Sequence, residues 1–186
     1  MKPIARVKIH KLEKKLNCFI QRNKVSAGFD VCMHATGVAI IRTTDNTLFL
    51  DRVSKIEVPK KVNLLEGVDL FIAQVQNLAM KISQQYKIHT NNIEDCFFGN
   101  NVKTLKALAR FSVLVYDQFR GISVESKLIL PTQARKKIKF QKSAKSVKGS
   151  KLKNEIRAYV NNLLGIDIQD HDIADAVVLA MGGIIK

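Results

Sequence analysis

Near residue 60 the hydrophobic pattern of this chain changes period, and that change limits the fold more than any other feature. Before it, residues 26–32, 37–42 and 47–55 are short runs of apolar and β-branched residues, separated by His34-Ala35-Thr36 and by Thr44-Asp45-Asn46. Short runs parted by turn-forming residues predict three consecutive antiparallel strands. After it, Leu65, Val68, Ile72, Val75, Leu78 or Ala79, and Ile82 recur every three or four residues, which is one face of a long amphipathic helix. A fourth strand is predicted over 93–98. A second helix carries Leu105, Leu108, Ala109, Ser112 and Val115 and ends at Gly121, and a fifth strand over 122–130 is closed by Pro131. Two more helices follow, one with Leu152, Ile156, Tyr159 or Val160 and Leu163 on one side, the other starting near Asp172. Strands interleaved with helices in this order make an α/β domain.

With 186 residues, 46% of them hydrophobic, the chain is long enough for one domain with a sizeable core. Its 31 Lys and Arg against 16 Asp and Glu leave a net charge of +15, an excess that favours an anionic polymer as partner, nucleic acid first. A membrane surface is the rival anion. No apolar run approaches the ~18 residues of a spanning helix, and Met1-Lys2-Pro3 is not followed by the apolar core of a signal peptide. A soluble, intracellular protein is expected, in the cytoplasm or nucleoid, a virus-infected host cell or an organelle.

The charge is concentrated in two blocks. Residues 1–24 carry eight Lys and Arg against Glu13 alone. This segment reads as a basic extension ahead of a domain over 25–186: an extra strand, a DNA arm or part of a dimer contact. Residues 135–157 carry ten Lys and Arg against Glu155. The stretch 136–150 has almost no apolar periodicity and reads as a loop that orders on DNA, with Lys136, Lys137, Lys139, Lys148 and Lys151 as phosphate contacts. A solvated face is the alternative for either block.

Cys18, Cys32 and Cys96 are too few and too irregularly spaced for a disulfide framework or a zinc site, and read as reduced thiols, two of them inside strands. His10, His34, His89 and His171 make no ligand pair at helical spacing, so no zinc is expected.

Four acids stand in apolar surroundings where acids are uncommon. Asp30 lies in Ala27-Gly28-Phe29-Asp30-Val31-Cys32 and Glu94 in Ile93-Glu94-Asp95-Cys96-Phe97-Phe98. Each either reaches a functional site or ends its strand and accepts turn hydrogen bonds. In Asp172-Ile173-Ala174-Asp175-Ala176 the i, i+3 spacing puts two carboxylates on one face of a first helical turn, where they either cap the helix or face a cleft. Four converging carboxylates repel one another unless a divalent cation neutralises them. Hard oxygen donors without His or Cys point to Mg²⁺, with Mn²⁺ as a substitute. Two such ions promote in-line displacement at a phosphodiester, so the acids and the basic surface ask for the same substrate.

Taken in order, Gly28-Phe29-Asp30, Thr36-Gly37-Val38-Ala39-Ile40-Ile41, Ile93-Glu94-Asp95-Cys96-Phe97-Phe98-Gly99-Asn100-Asn101 and Asp172-Ile173-Ala174-Asp175-Ala176 resemble the RuvC family of Holliday-junction resolvases, within the RNase H-like superfamily. The resemblance covers roughly residues 25–185. It implies an RNase H-like fold, a central mixed five-stranded sheet of three antiparallel then two parallel strands flanked by helices. It also implies metal ligation by Asp30, Glu94, Asp172 and Asp175, with two ions per site. Lys153 falls where the family has a lysine near the scissile phosphate, and Arg135 where a basic residue contacts DNA. Phe97 matches an aromatic that stacks on bases at the opened crossover, with a core strand position as the alternative. The Val31-Cys32-Met33-His34 turn and the long basic loop before Lys153 resemble a divergent phage, viral or organellar-type member.

The activity so implied is Mg²⁺-dependent phosphodiester hydrolysis that resolves a four-way DNA junction by paired symmetric nicks. Paired cuts call for paired sites, hence a homodimer. A broader branched-DNA or flap nuclease, an RNA/DNA hybrid nuclease and a non-catalytic basic DNA-binding protein are the alternatives.

Overall fold

The computed structural model describes residues 2–32, 34–95, 102–143 and 148–186, apart from the side chains of 64, 102–104 and 107. Its strands are β1 (Ala5–Lys8), β2 (Val25–Asp30), β3 (Ala35–Thr43), β4 (Thr47–Glu57), β5 (Ile88–Glu94) and β6 (Ser123–Ile129). The helices are α1 (Ile9–Leu16), α2 (Leu64–Gln85), α3 (Val102–Arg120), α4 (Pro131–Lys137), α5 (Gly149–Leu164) and α6 (His171–Gly182). One six-stranded sheet runs in the order β1-β4-β3-β2-β5-β6. The strands β2, β3 and β4 form the expected antiparallel meander, and β5 and β6 add in parallel beside β2. Among the described residues no helix is long and apolar enough to cross a membrane.

The sheet has six strands rather than five because residues 1–24 join it. β1 pairs antiparallel with β4, and α1 buries Ile9, Leu12 and Leu16 in the main core. Ile20 then bridges Ile185, so the segment is stitched to the chain's other end. The extra strand, one of three roles left open for this segment, is the one its backbone adopts.

Two apolar layers sandwich the sheet. On one face, Val38 and Ile40 of β3 and Ala27 and Phe29 of β2 pack under α2 and α3, where Phe29 meets Phe119 at 4.5 Å and Phe71 meets Phe111 at 4.6 Å between ring centres. On the other, Ala39 and Ile41 join Leu48 and Leu50 beneath α6, α5 and α1. Alternate residues of β3 thus face opposite cores, which explains why that strand reads as a continuous apolar run. Each Val, Leu, Ile or Phe side chain fully withdrawn from water here contributes about 1.5–3 kcal/mol. α6 lies centrally, with every residue from Ala174 to Gly182 buried.

Two strand boundaries differ from the sequence reading. β5 (Ile88–Glu94) starts well before the expected 93, because its polar lead-in is satisfied inside, while 96–98 of the expected strand lie outside the described residues. Asn91 donates to Phe119 O and Ser126 Oγ, and Asn92 donates to Leu179 O at 2.9 Å. β2 stops at Asp30, which leaves Cys32 exposed in the following turn rather than in a strand. The stretch 136–150, read as a loop, begins as the end of α4. Pro131 stands in that helix's first turn, and the Gln133 side chain accepts from Leu130 N–H.

Candidate active site

Two strands and one helix carry the acids: Asp30 on β2, Glu94 on β5, and Asp172 and Asp175 on α6. Asp30 closes β2 and pairs across the sheet with Gly37, which in turn pairs with Lys55 of β4. Directly opposed residues share a face, so Asp30, Gly37 and Lys55 form one row on the α6 side. Gly37 has to be glycine. A Cβ there would stand 2.1 Å from Asp172 O, so the missing side chain lets the first turn of α6 lie directly on the sheet. Gly28 does the same further along, where a Cβ would meet Ala176 O at 2.1 Å.

Lys55 reaches this row through a β-bulge. Leu48 and Leu50 face α6, and strict alternation would send Ser54 and Ile56 there and turn Lys55 away. The register shifts between Ile40 and Ile41, with Asp51 as the extra residue in β4. Parity inverts, Val53 packs on the α6 side, Ile56 joins the opposite core, and Lys55 points at α6.

α6 carries Asp172 and Asp175, and neither needs to cap it. That work falls to Asp170, whose carboxylate accepts from Asp172 N at 2.8 Å and Ile173 N at 3.1 Å. Lys55 fixes this cap, with Nζ 2.7 Å from Asp170 and 3.0 Å from Asp172. The other oxygen of Asp172 meets Lys153 of α5 at 3.2 Å, and Asp175 meets Arg135 of α4 at 3.1 Å. Asp30 does end its strand, but the turn after it is held by Thr36, whose hydroxyl bonds Cys32 N and Cys32 O. Asp30 and Asp175 are both buried.

Burial pushes the Asp30 carboxyl well above the usual range, and its hydrogen bond with Glu94 and the charges of Glu94 and Asp175 push it further. Glu94 is raised too, by burial first and by Asp175, against the opposing bond from Asp30 and the fields of Arg135 and Lys153. Burial and mutual charge thus disfavour ionising these two carboxyls together. At Lys153, burial disfavours the charge, yet the bond to Asp172 and the fields of Asp172, Asp30 and Asp175 outweigh it and its pKa rises. The Asp170 and Asp172 carboxylates hold Lys55 firmly protonated.

The structure thus brings Asp30, Glu94, Asp172, Asp175, Lys153 and Arg135 to one place. Lys136 and Lys139 line a concavity of about 390 Å³ together with Arg135. Lys148 and Lys151 are exposed at the start of α5. Lys137 turns away toward the far end of α6, donating to Gly182 O at 2.8 Å. Phe97 lies outside the described residues. Sequence reasoning missed Lys55, which only strand register reveals, and Asp170, whose cap-forming type two residues before Asp172 was the available signal.

Among the described residues no three His, Cys, Asp or Glu form a ready-made metal-binding group. Asp172 and Asp175 are turned toward Lys55, Lys153 and Arg135, and Asp30 is hydrogen-bonded to Glu94. The donor set itself, four carboxylates with hard oxygens, suits Mg²⁺ or Mn²⁺, and a cation there would offset their mutual repulsion.

Comparison with known proteins identifies the family and the fold. The family model described as "Crossover junction endodeoxyribonuclease RuvC" matches residues 26–182. A Crossover junction endodeoxyribonuclease RuvC of Helicobacter pylori (strain Shi470) is 26% identical over 166 residues, 83% of this chain and 92% of that protein. Among solved structures, T. thermophilus RuvC in complex with Holliday junction substrate superposes with a TM-score of 0.65 at 17% identity, covering 86% of this chain and 91% of the other. The yeast mitochondrial Holliday junction resolvase superposes with a TM-score of 0.53 at 11% identity, covering 93% and 84%. At these identities the two structures speak for the fold, while the family match spans most of the sequence. The chain belongs to the RuvC family of crossover junction endodeoxyribonucleases.

Proposed function

We propose that this protein resolves four-way DNA junctions by paired, symmetric phosphodiester cuts, acting as a homodimer with divalent metal. The observation that carries the metal reading is the convergence of the acids. Asp30 and Asp175 are buried beside Glu94, and Asp172 and Asp175 rest on basic side chains. Such a cluster gains stability from a dication. Asp30, Glu94, Asp172 and Asp175 would hold it, as two Mg²⁺ or Mn²⁺ ions. When bound, the metal supplies activation of a water and charge neutralisation at the leaving oxygen.

The chain's own residues do the rest. Lys153, released from Asp172, faces the phosphate and offsets its developing negative charge. Lys55 stays on Asp170 and keeps the first turn of α6 in place. Arg135, Lys136, Lys139, Lys148 and Lys151 neutralise the DNA backbone, and Phe97 stacks on a base at the crossover.

End-labelled four-way junctions incubated with the protein and Mg²⁺ or Mn²⁺ test the proposal. Paired nicks at symmetric positions in two opposed strands are expected, lost in Asp30→Asn. Equal cutting of forks and three-way junctions would make it a broader branched-DNA nuclease, and uncut junctions would overturn the proposal.

A further inference from the structure

A groove of about 720 Å³ opens at the end of α6 remote from the carboxylates. Lys24, ahead of β2, Lys127 on β6 and Lys137 on α4 line it, with Glu125 as their acidic neighbour. Glu125 is already met by Lys127 at 2.8 Å, so the groove keeps a net positive charge. Part of its wall comes from sequence beyond the 26–182 family match: Gln21 and Lys24 on one side, Gly183, Ile185 and Lys186 on the other.

That wall is held in shape by backbone pairing. Gln21 N donates to Ile184 O at 2.8 Å, Thr43 N donates to Lys24 O at 2.7 Å, and Lys137 Nζ bonds the carbonyls of Gly182 and Ile185. His89 accepts from Val25 N on Nδ1, which leaves Nε2 as the donor of its neutral ring. A rigid concavity whose cations already stand together is prepared for an anion, since little ordering remains to be done on binding. Burial and the nearby Lys127 lower the pKa of Lys137, a like-charge repulsion that an incoming anion relieves.

The groove also lies at a meaningful distance. From Asp175 to Gly182, at the groove's near edge, the helix rises roughly 10 Å, and from Asp30 back to Lys24 the extended chain covers roughly 20 Å. Phosphates of one strand recur about every 3.4 Å along a duplex axis, so the groove lies about three to six nucleotides away. We propose that the groove seats the backbone of a junction arm about three to six nucleotides from the cleaved bond, as a second anchor. This rests on the junction-resolving reading above.

The test uses the full-length protein and four-way junctions carrying single neutral methylphosphonates at successive positions on either side of the cleavage site, with affinity measured against salt. A substitution about three to six nucleotides from the cut is expected to weaken wild-type binding and lower the salt slope by about 1, more than substitutions nine or more nucleotides away. The double variant Lys24→Gln, Lys127→Gln is expected to lower the slope by about 2 and to become insensitive to that methylphosphonate. Equal sensitivity at all positions, or additive losses in the double variant, would overturn the groove proposal. Because the wild-type arm needs no variant, misfolding of the double variant leaves it decisive. If unmodified junctions are not cut at all, the junction-resolving reading itself fails, which is a separate outcome.

Discussion

Lys55 Nζ lies 3.0 Å from Asp172 and 2.7 Å from Asp170, so a single cation ties a candidate metal ligand to the residue that caps its helix. The Lys55 side chain keeps about a quarter of its exposure (23%) and Asp170 about a third (35%), so solvent screens the pair and its strength is modest. Asp170→Ala is expected to cost about 1–2 kcal/mol through loss of the cap. A double-mutant cycle with Lys55→Met should return a coupling of about 0.5–1 kcal/mol by chemical denaturation of the metal-free protein. A coupling near zero would show that the two hold α6 independently.

Arg135 and Asp175 form a tighter case, since both side chains are largely buried. Removing one member of a buried pair leaves the other charge uncompensated, at about 3 kcal/mol. Metal-free Arg135→Met should therefore unfold at a markedly lower temperature. Saturating Mn²⁺ should recover more stability in this variant than in wild type, because the ion meets the stranded Asp175 charge. Thermal unfolding with and without Mn²⁺ reads both effects.

The buried Asp30 carboxyl makes a pH prediction. Its folded pKa is raised by burial and by Glu94. Between the unfolded value of about 4 and that raised value the folded state binds more protons, so stability falls as pH rises through this window. Asp30→Asn removes the liability. In chelator, the variant should be more stable than wild type at pH 7 to 8, with the gap closing as pH falls toward about 4. With metal it should have lost cleavage by about 100-fold or more. A gap that does not change with pH would show that Asp30 is not the group responsible.

Gly37 gives the sharpest steric prediction. Gly37→Ala would drive a methyl into Asp172 O, which belongs to a helix backbone that cannot shift alone, so a loss of about 2–4 kcal/mol is expected together with loss of cleavage. Gly67→Ala is the contrast. Its added Cβ meets Val62 and Val58 side chains at 3.4 and 3.5 Å, ordinary contacts near the start of α2, and a gain of about 0.5–1 kcal/mol is expected. Denaturation midpoints of the two variants should move in opposite directions.

What was legible in the sequence followed local rules. The meander, the long helix α2 and the paired acids of α6 each announce themselves within a few residues, and the four acids came from setting polarity against apolar surroundings. What was not legible depends on partners far away in the chain. β1 is four residues long and α1 eight, and their stripe of Ile9, Leu12 and Leu16 is diluted by lysines, so charge outweighed period in the reading of residues 1–24. α4 buries only Ala134 and passes for a basic loop. Asn91 and Asn92 looked like a loop entry because their bonds are made with Phe119, Ser126 and Leu179. Lys55 needed a bulge to bring it to the acids, and nothing in its own neighbourhood marks that residue count.

The seating of α6 has a dynamic consequence. Its first turn is tied to β4 by Lys55, its middle rests on Gly28 of β2, and the strand bridge between Ile20 and Ile185 fastens the chain just beyond its end. A helix held at both ends has little free terminus from which to fray, so the amides of its buried middle are expected to open chiefly with the central sheet. Asp175 thus rides on a part of the molecule expected to exchange slowly, which would keep its distance to the strand acids constant between turnovers.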